Sequence, residues 1–155
     1  MATLIRQQEC DVLIDYNGFA LQDEEDTDLP LPYPEERAEL GSGFLNAFES
    51  RLDIESAGHT HEAKLVVEVW DGEPPADARE DWEESGESEI FSPSGILAVW
   101  VMAGAGEERI ELGRADSLWK VRVHSVGRAE VARLADFEVP EGVERYLVQA
   151  WPSLK

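Results

Sequence analysis

Glu62-Ala63-Lys64-Leu65-Val66-Val67-Glu68-Val69-Trp70 decides the fold class. Ala63, Leu65, Val67 and Val69 share one side of an extended chain, while Glu62, Lys64 and Glu68 dominate the other. A repeat of two is the signature of a strand with one face in a core. Residues 118–126 repeat the pattern, with Trp119, Val121 and Val123 facing in and Lys120, Arg122 and His124 facing out. Working outward, Val12, Ile14 and Tyr16 line one face of 11–16. The tight-turn pair Asn17-Gly18 and a second short run, Phe19–Leu21, follow, so 11–22 reads as a hairpin or a bent strand. Further strands are expected within 44–55, at 87–91, at 109–112 and at 144–151, the last closed by Pro152. Residues 96–103 are apolar on both faces, which suits a central or doubly covered strand. Residues 129–135 have the composition of one or two helical turns.

About seven to nine short strands divided by Gly and Pro turns predict an all-β protein, an antiparallel β-sandwich. No amphipathic helix of ~12 residues separates consecutive strands, which argues against a doubly wound parallel sheet. The sequence has no fixed-period repeat, and its 155 residues fit a single domain over 1–155. Four of the five tryptophans, Trp70, Trp100, Trp119 and Trp151, fall in expected strands and are candidates for the core.

The formal net charge is −21, from 34 acidic and 13 basic side chains. Such a field opposes binding to nucleic acid phosphates and to anionic membranes. The charge is uneven. Residues 1–100 hold 25 acids and 5 bases, and residues 101–155 hold 9 and 8. Two proline-containing segments, 21–40 and 71–90, together contribute −15, and both read as long acidic loops. Three explanations compete: a solvated surface that serves solubility, adaptation to high internal salt, and a recognition surface for a basic partner. Trp82 lies inside the second loop, flanked by carboxylates. It reads either as an interface anchor or as a lid tucked onto the sheet.

Motifs for catalysis are sparse. Phosphate-binding glycine motifs and the nucleophile elbow G-x-S-x-G are absent. Cys10, the only cysteine, sits between Glu9 and Asp11, which disfavour a thiolate. His59-Thr60-His61 is an H-x-H pair that on a strand points both rings one way. Zinc needs further ligands, for which Glu55 and Glu62 are the nearest candidates. The alternative is a solvent-facing turn entering strand 62–70. His124 reads as a surface residue. Asp23, Glu24, Asp26 and Asp28 lack the sixth-position Gly of a calcium loop. No cofactor is expected. The N-terminal residues carry one Arg and no apolar run of signal length, and no stretch of ~18 apolar residues occurs, so a cytoplasmic location is expected.

The run Val12-Leu13-Ile14-Asp15-Tyr16-Asn17-Gly18-Phe19-Ala20-Leu21 resembles the opening strands of the competence-associated nuclease inhibitor family (ComJ-like). Trp119–His124 followed by Glu144–Pro152 is similar to the close of a group of uncharacterised bacterial β proteins. The first resemblance implies a small acidic β-sandwich that binds and silences a nuclease. Neither resemblance assigns a role to a particular residue.

The resulting expectation is a non-catalytic protein-binding module for a basic partner such as a nuclease or toxin. Its contact residues would be Asp23, Glu24, Glu25, Asp26 and Asp28 from the first loop, with Glu80, Asp81, Trp82, Glu83 and Glu84 from the second. A metal-binding or hydrolytic sandwich using His59 and His61 is one alternative. An accessory protein whose charge serves only solubility is another.

Overall fold

A computed structural model describes residues 2–15, 17–24, 44–48, 50–77, 81–101, 104–134 and 137–153. Its elements run β1 Leu4–Ile14, β2 Gly18–Asp23, β3 Leu45–Phe48, β4 Arg51–Glu55, β5 His61–Trp70, β6 Glu84–Ser92, β7 Ile96–Val101, β8 Gly104–Glu111, β9 Ser117–Val126, α1 Arg128–Leu134 and β10 Glu141–Pro152. The protein is an all-β sandwich. One sheet has the order β1-β5-β10-β9-β6 and the other β3-β4-β2-β7-β8.

The alternation in 62–70 sets the inner face. Ala63, Leu65, Val67 and Val69 are all buried, and they meet Val121, Val123, Tyr146 and Val148 in the same core. The opposite sheet supplies Phe19, Leu21, Leu52, Ile54, Leu97, Val99 and Ile110. Each such side chain contributes about 1.5–3 kcal/mol on burial, so this layer dominates stability. Tyr146 crosses it and meets Phe19 edge-on, with ring centroids 5.0 Å apart.

The sandwich differs from the expected antiparallel one at a single ladder. β10 runs parallel to β5, with Tyr146 opposite Leu65 and Val148 opposite Val67. The helix α1 turns the chain back after β9, and β10 then enters the central slot between β9 and β5. A period of two looks the same for either neighbour direction, so the pattern alone does not reveal it. The slot is covered on both sides, as central strands are. Residues 146–151 are buried without interruption.

Three further expectations change. Asn17-Gly18 does form a tight turn, with Asn17 at φ 63° and an Asp15–Gly18 bridge. It joins two sheets, however, rather than two strands of a hairpin. β1 begins at Leu4, because Arg6-Gln7-Gln8-Glu9 is polar sequence on an exposed edge strand. Parts of both expected acidic loops are strand. Leu21–Asp23 belong to β2 and Glu84–Ser92 form β6.

The outer face of the first sheet is covered too. Pro74 is buried there, and its carbonyl accepts a hydrogen bond from Arg122 Nη1 at 3.2 Å. Beneath it Glu68 Oε1 accepts from Gln149 Nε2 at 3.0 Å and from Trp70 Nε1 at 3.1 Å. Trp151 is buried on this outer layer, with the Arg122 guanidinium 5.0 Å from its ring centre. Of the four strand tryptophans, only Trp119 belongs to the inner core. Trp70 and Trp100 are half-buried.

Candidate functional site

One end of the first sheet gathers the last residues of β1 and β9, the first of β5, β6 and β10, and α1. Leu13 faces Glu62, Glu84 faces Ser125, and Arg145 faces Val126. Segment 56–60 leads into β5 at this end, and α1 lies over it. Val131 is fully buried, and a Cβ on Gly58 would stand 3.2 Å from Val131 Cγ2 and 2.7 Å from His61 Cδ2. Gly127, at φ +81°, makes the turn into α1, where a Cβ would fall 2.0 Å from the Val143 carbonyl oxygen. Only glycine fits there.

A buried polar network locks these pieces together. The Ser56 hydroxyl donates to Glu144 Oε1 at 2.6 Å and lies 2.7 Å from His61 Nε2. Tyr146 donates its hydroxyl to the same Oε1 at 2.5 Å, and the Ala57 amide donates to Oε2 at 2.9 Å. Arg128 Nη1 stands 3.6 Å from Oε2, and its guanidinium lies 4.9 Å from the Phe44 ring centre. Burial lowers the His61 pKa, against the opposing pull of Glu144. Burial and the Glu144 charge push the Tyr146 phenol far up.

Serine, histidine and glutamate together invite comparison with a nucleophilic triad. In a triad the histidine stands between nucleophile and acid. Here the serine stands between histidine and glutamate and gives its proton to the acid. His61 and Glu144 have 0% exposure and Ser56 2%, so no substrate reaches them. The network is a clamp on the end of the sandwich.

The two readings of His59-Thr60-His61 are separated by the same geometry. His61 faces the interior, whereas His59 lies in the preceding exposed turn with Nδ1 2.8 Å from Thr60 Oγ1. The rings do not share a face, because only His61 is in the strand. Among the described residues no three His, Cys, Asp or Glu side chains are placed to hold a metal ion. Burial, with Glu108 and Asp11 nearby, raises the Cys10 thiol to about 11.

The ten expected contact residues do not form one rim. Asp23 is corrected: it has 0% exposure, and its Oδ2 accepts from Ser92 Oγ at 2.6 Å and from the Ser94 amide and hydroxyl at 3.1 and 2.9 Å. It braces the 92–95 turn because it closes β2 instead of opening a loop. Glu24 pairs with Arg109 at 2.9 Å. Glu25, Asp26, Asp28 and Glu80 lie outside the described residues. Glu83 accepts from the Gly127, Arg128 and Ala129 amides at 2.7, 3.1 and 3.2 Å, so it caps α1. Asp81 and Glu84 are exposed. Asp23 meets the last residue of β6 and Glu84 is its first, so these two expected contact residues stand roughly 26 Å apart along that strand.

Trp82 is a half-buried lid. Its ring stacks on His124 at 5.2 Å and 17°, and its Nε1 donates to Asp77 at 3.2 Å. His124 is therefore buried, contrary to the expected surface position, and its Nδ1 lies 2.7 Å from Ser85 Oγ. Beside the lid runs a groove of about 650 Å³ between residues 73–77 and the start of β6. Arg122 lines it, with its charge already met by Glu87 at 3.3 Å and Glu73 at 3.5 Å.

Among the described residues the uncovered aromatic is Phe137, which the sequence reading passed over. It is 83% exposed, just beyond α1, with Val139 at 58% two residues on and Leu13 at 60% at the same end of the first sheet. The missed signal is the one that drew attention to Trp82: an aromatic between carboxylates, here in Asp136-Phe137-Glu138.

No protein-family model matches the sequence, and no curated protein matches it. Two solved structures share the fold. One is ComJ from Bacillus subtilis, inhibitor of the DNA degrading activity of NucA, with a TM-score of 0.63, 14% identity and 99% of each chain covered. The other is the crocagin biosynthetic gene J protein, with a TM-score of 0.64, 12% identity, and 96% of this chain and 99% of that chain covered. At these identities the likeness is one of fold. It agrees with the resemblance read from Val12–Leu21. Among the described residues no helix is long and apolar enough to cross a membrane.

Proposed function

We propose that this chain is a non-catalytic inhibitor that binds a basic protein, a nuclease or nuclease-like toxin, in the cytoplasm. The carrying observation is that its sandwich matches, end to end, that of a protein whose described role is to inhibit a DNA-degrading enzyme. The charge of −21 supports the reading physically. Carboxylates fixed on a rigid sheet steer a basic partner and raise its association rate, and they repel nucleic acid itself. The buried Ser56-His61-Glu144 set supports scaffolding rather than turnover. Asp81 and Glu84, exposed at the clamped end, are the expected rim residues best placed for contact.

The test is a DNA-degradation assay with NucA and a panel of other basic nucleases, at low and high salt. The reading expects at least one nuclease to lose activity in proportion to added protein, less so at high salt. If every nuclease keeps full activity at a large excess of protein, the inhibitor reading fails and the solubility reading takes its place.

A further inference from the structure

We propose that the end of the sandwich carrying Phe137 is the docking surface, and that it receives a protein with an apolar pocket ringed by lysine and arginine. The proposal rests on the inhibitor reading and adds the place and chemistry of contact.

Three large apolar side chains, Leu13, Phe137 and Val139, are exposed at this end. Glu62 is the cross-strand partner of Leu13, and its amide donates to the Pro140 carbonyl at 2.9 Å. Glu141 is the partner of Glu62 on its other side, so the start of β10 lies about two strand spacings, roughly 10 Å, from Leu13, and Val139 stands two residues before it. Phe137 stands two residues before Val139. Single exposed apolar residues are ordinary, but three at one end of the sandwich, one of them an aromatic 83% exposed, point to an interaction surface.

The backbone that carries the aromatic is held in place. The Phe137 and Glu138 amides both donate to the Leu134 carbonyl, at 2.9 and 3.1 Å, closing the end of α1. Helix α1 is itself seated by Val131, capped by Glu83 and tied to Glu144 through Arg128. A backbone fixed before contact loses little freedom on binding.

The surrounding charge selects the occupant. Asp81, Glu84, Glu138 and Glu141 are exposed at this end. Its cations are engaged within the chain: Lys64 by Asp11 at 2.6 Å, Arg133 by Glu130 at 2.5 Å, and Arg128 by Glu144. Arg145 is engaged as well. An apolar centre within an acidic rim suits a pocket with a basic rim. A second copy of this chain is disfavoured, because two bodies of charge −21 repel.

The test places a photo-crosslinking phenylalanine analogue, one position at a time, at Phe137, at Glu24 on the opposite end and at Glu87 in the groove. The full-length protein is irradiated in its native cells, and adducts are identified by mass spectrometry. The proposal expects an adduct at 137 with a basic protein. Once purified, that protein should bind the wild type at least tenfold more tightly than Phe137→Ser, with affinity that falls as salt rises. Phe137 is exposed, so the substitution leaves folding intact. Adducts only at 24 or 87 would overturn the docking surface and leave the inhibitor reading standing. An adduct only with a second copy of this chain would overturn the choice of occupant. Absence of adducts at all three positions would count against both.

Discussion

Trp82 lies flat on His124, with ring centroids 5.2 Å apart and planes 17° from parallel. The aromatic that its acidic neighbours mark as an anchor is thus spent on covering a buried histidine. Replacing it tests that role. Trp82→Ala should lower stability by about 1–3 kcal/mol, combining lost apolar contact with lost stacking. Urea unfolding would read this as a lower midpoint at an unchanged slope. Trp82→Phe should recover much of the loss. A variant with normal stability would contradict the lid.

The polar clamp predicts a comparable effect from a smaller change. Ser56→Ala removes the donor to Glu144 and leaves buried groups short of a partner, at a cost of about 1–3 kcal/mol. Hydrogen exchange should quicken first in 57–60 and in α1, while the amides of β7 keep their protection. Uniform quickening throughout the protein would contradict a local clamp.

His61 ties stability to pH. Burial lowers its pKa in the folded protein below the ordinary value of about 6.5. As pH falls, the unfolded chain therefore takes up the proton first. The contribution is complete above about pH 6.5 and is lost as pH falls from there through the folded value. Unfolding midpoints between pH 8 and pH 5 should decline below about 6.5, and His61→Gln should flatten that decline. An NMR titration placing the His61 midpoint above 6.5 would reverse the sign.

Glu83 belongs to the helix cap. Its three amide contacts predict that Glu83→Ala costs about 0.5–2 kcal/mol and frays α1. Glu84→Gln should leave stability unchanged within about 0.5 kcal/mol. Equal losses at the two positions would contradict the cap.

How far these features were legible in the sequence depends on the range of the forces involved. The alternation of Ala63, Leu65, Val67 and Val69, and of Trp119, Val121 and Val123, reports local geometry and placed the core correctly. The parallel pairing of β5 with β10 depends on which distant strand fills a slot, and a local pattern holds no record of that. Asp23 and Glu83 read as surface charge because acids cluster around them, yet each is used by donors far along the chain, at Ser92 and Gly127. His124 alternates outward as expected and is buried because Trp82 folds back over it, with Ser85 beside it. Phe137 carried a readable signal, an aromatic between acids, but it stood beside a helix rather than in a highly acidic segment.

The most direct measurement is the affinity of the protein crosslinked through position 137 for the wild type, Phe137→Ser and Glu24→Gln, at low and high salt. The account predicts at least tenfold weakening by Phe137→Ser, little change with Glu24→Gln, and weaker binding throughout as salt rises. Equal affinity of the wild type and Phe137→Ser, indifferent to salt, would contradict it.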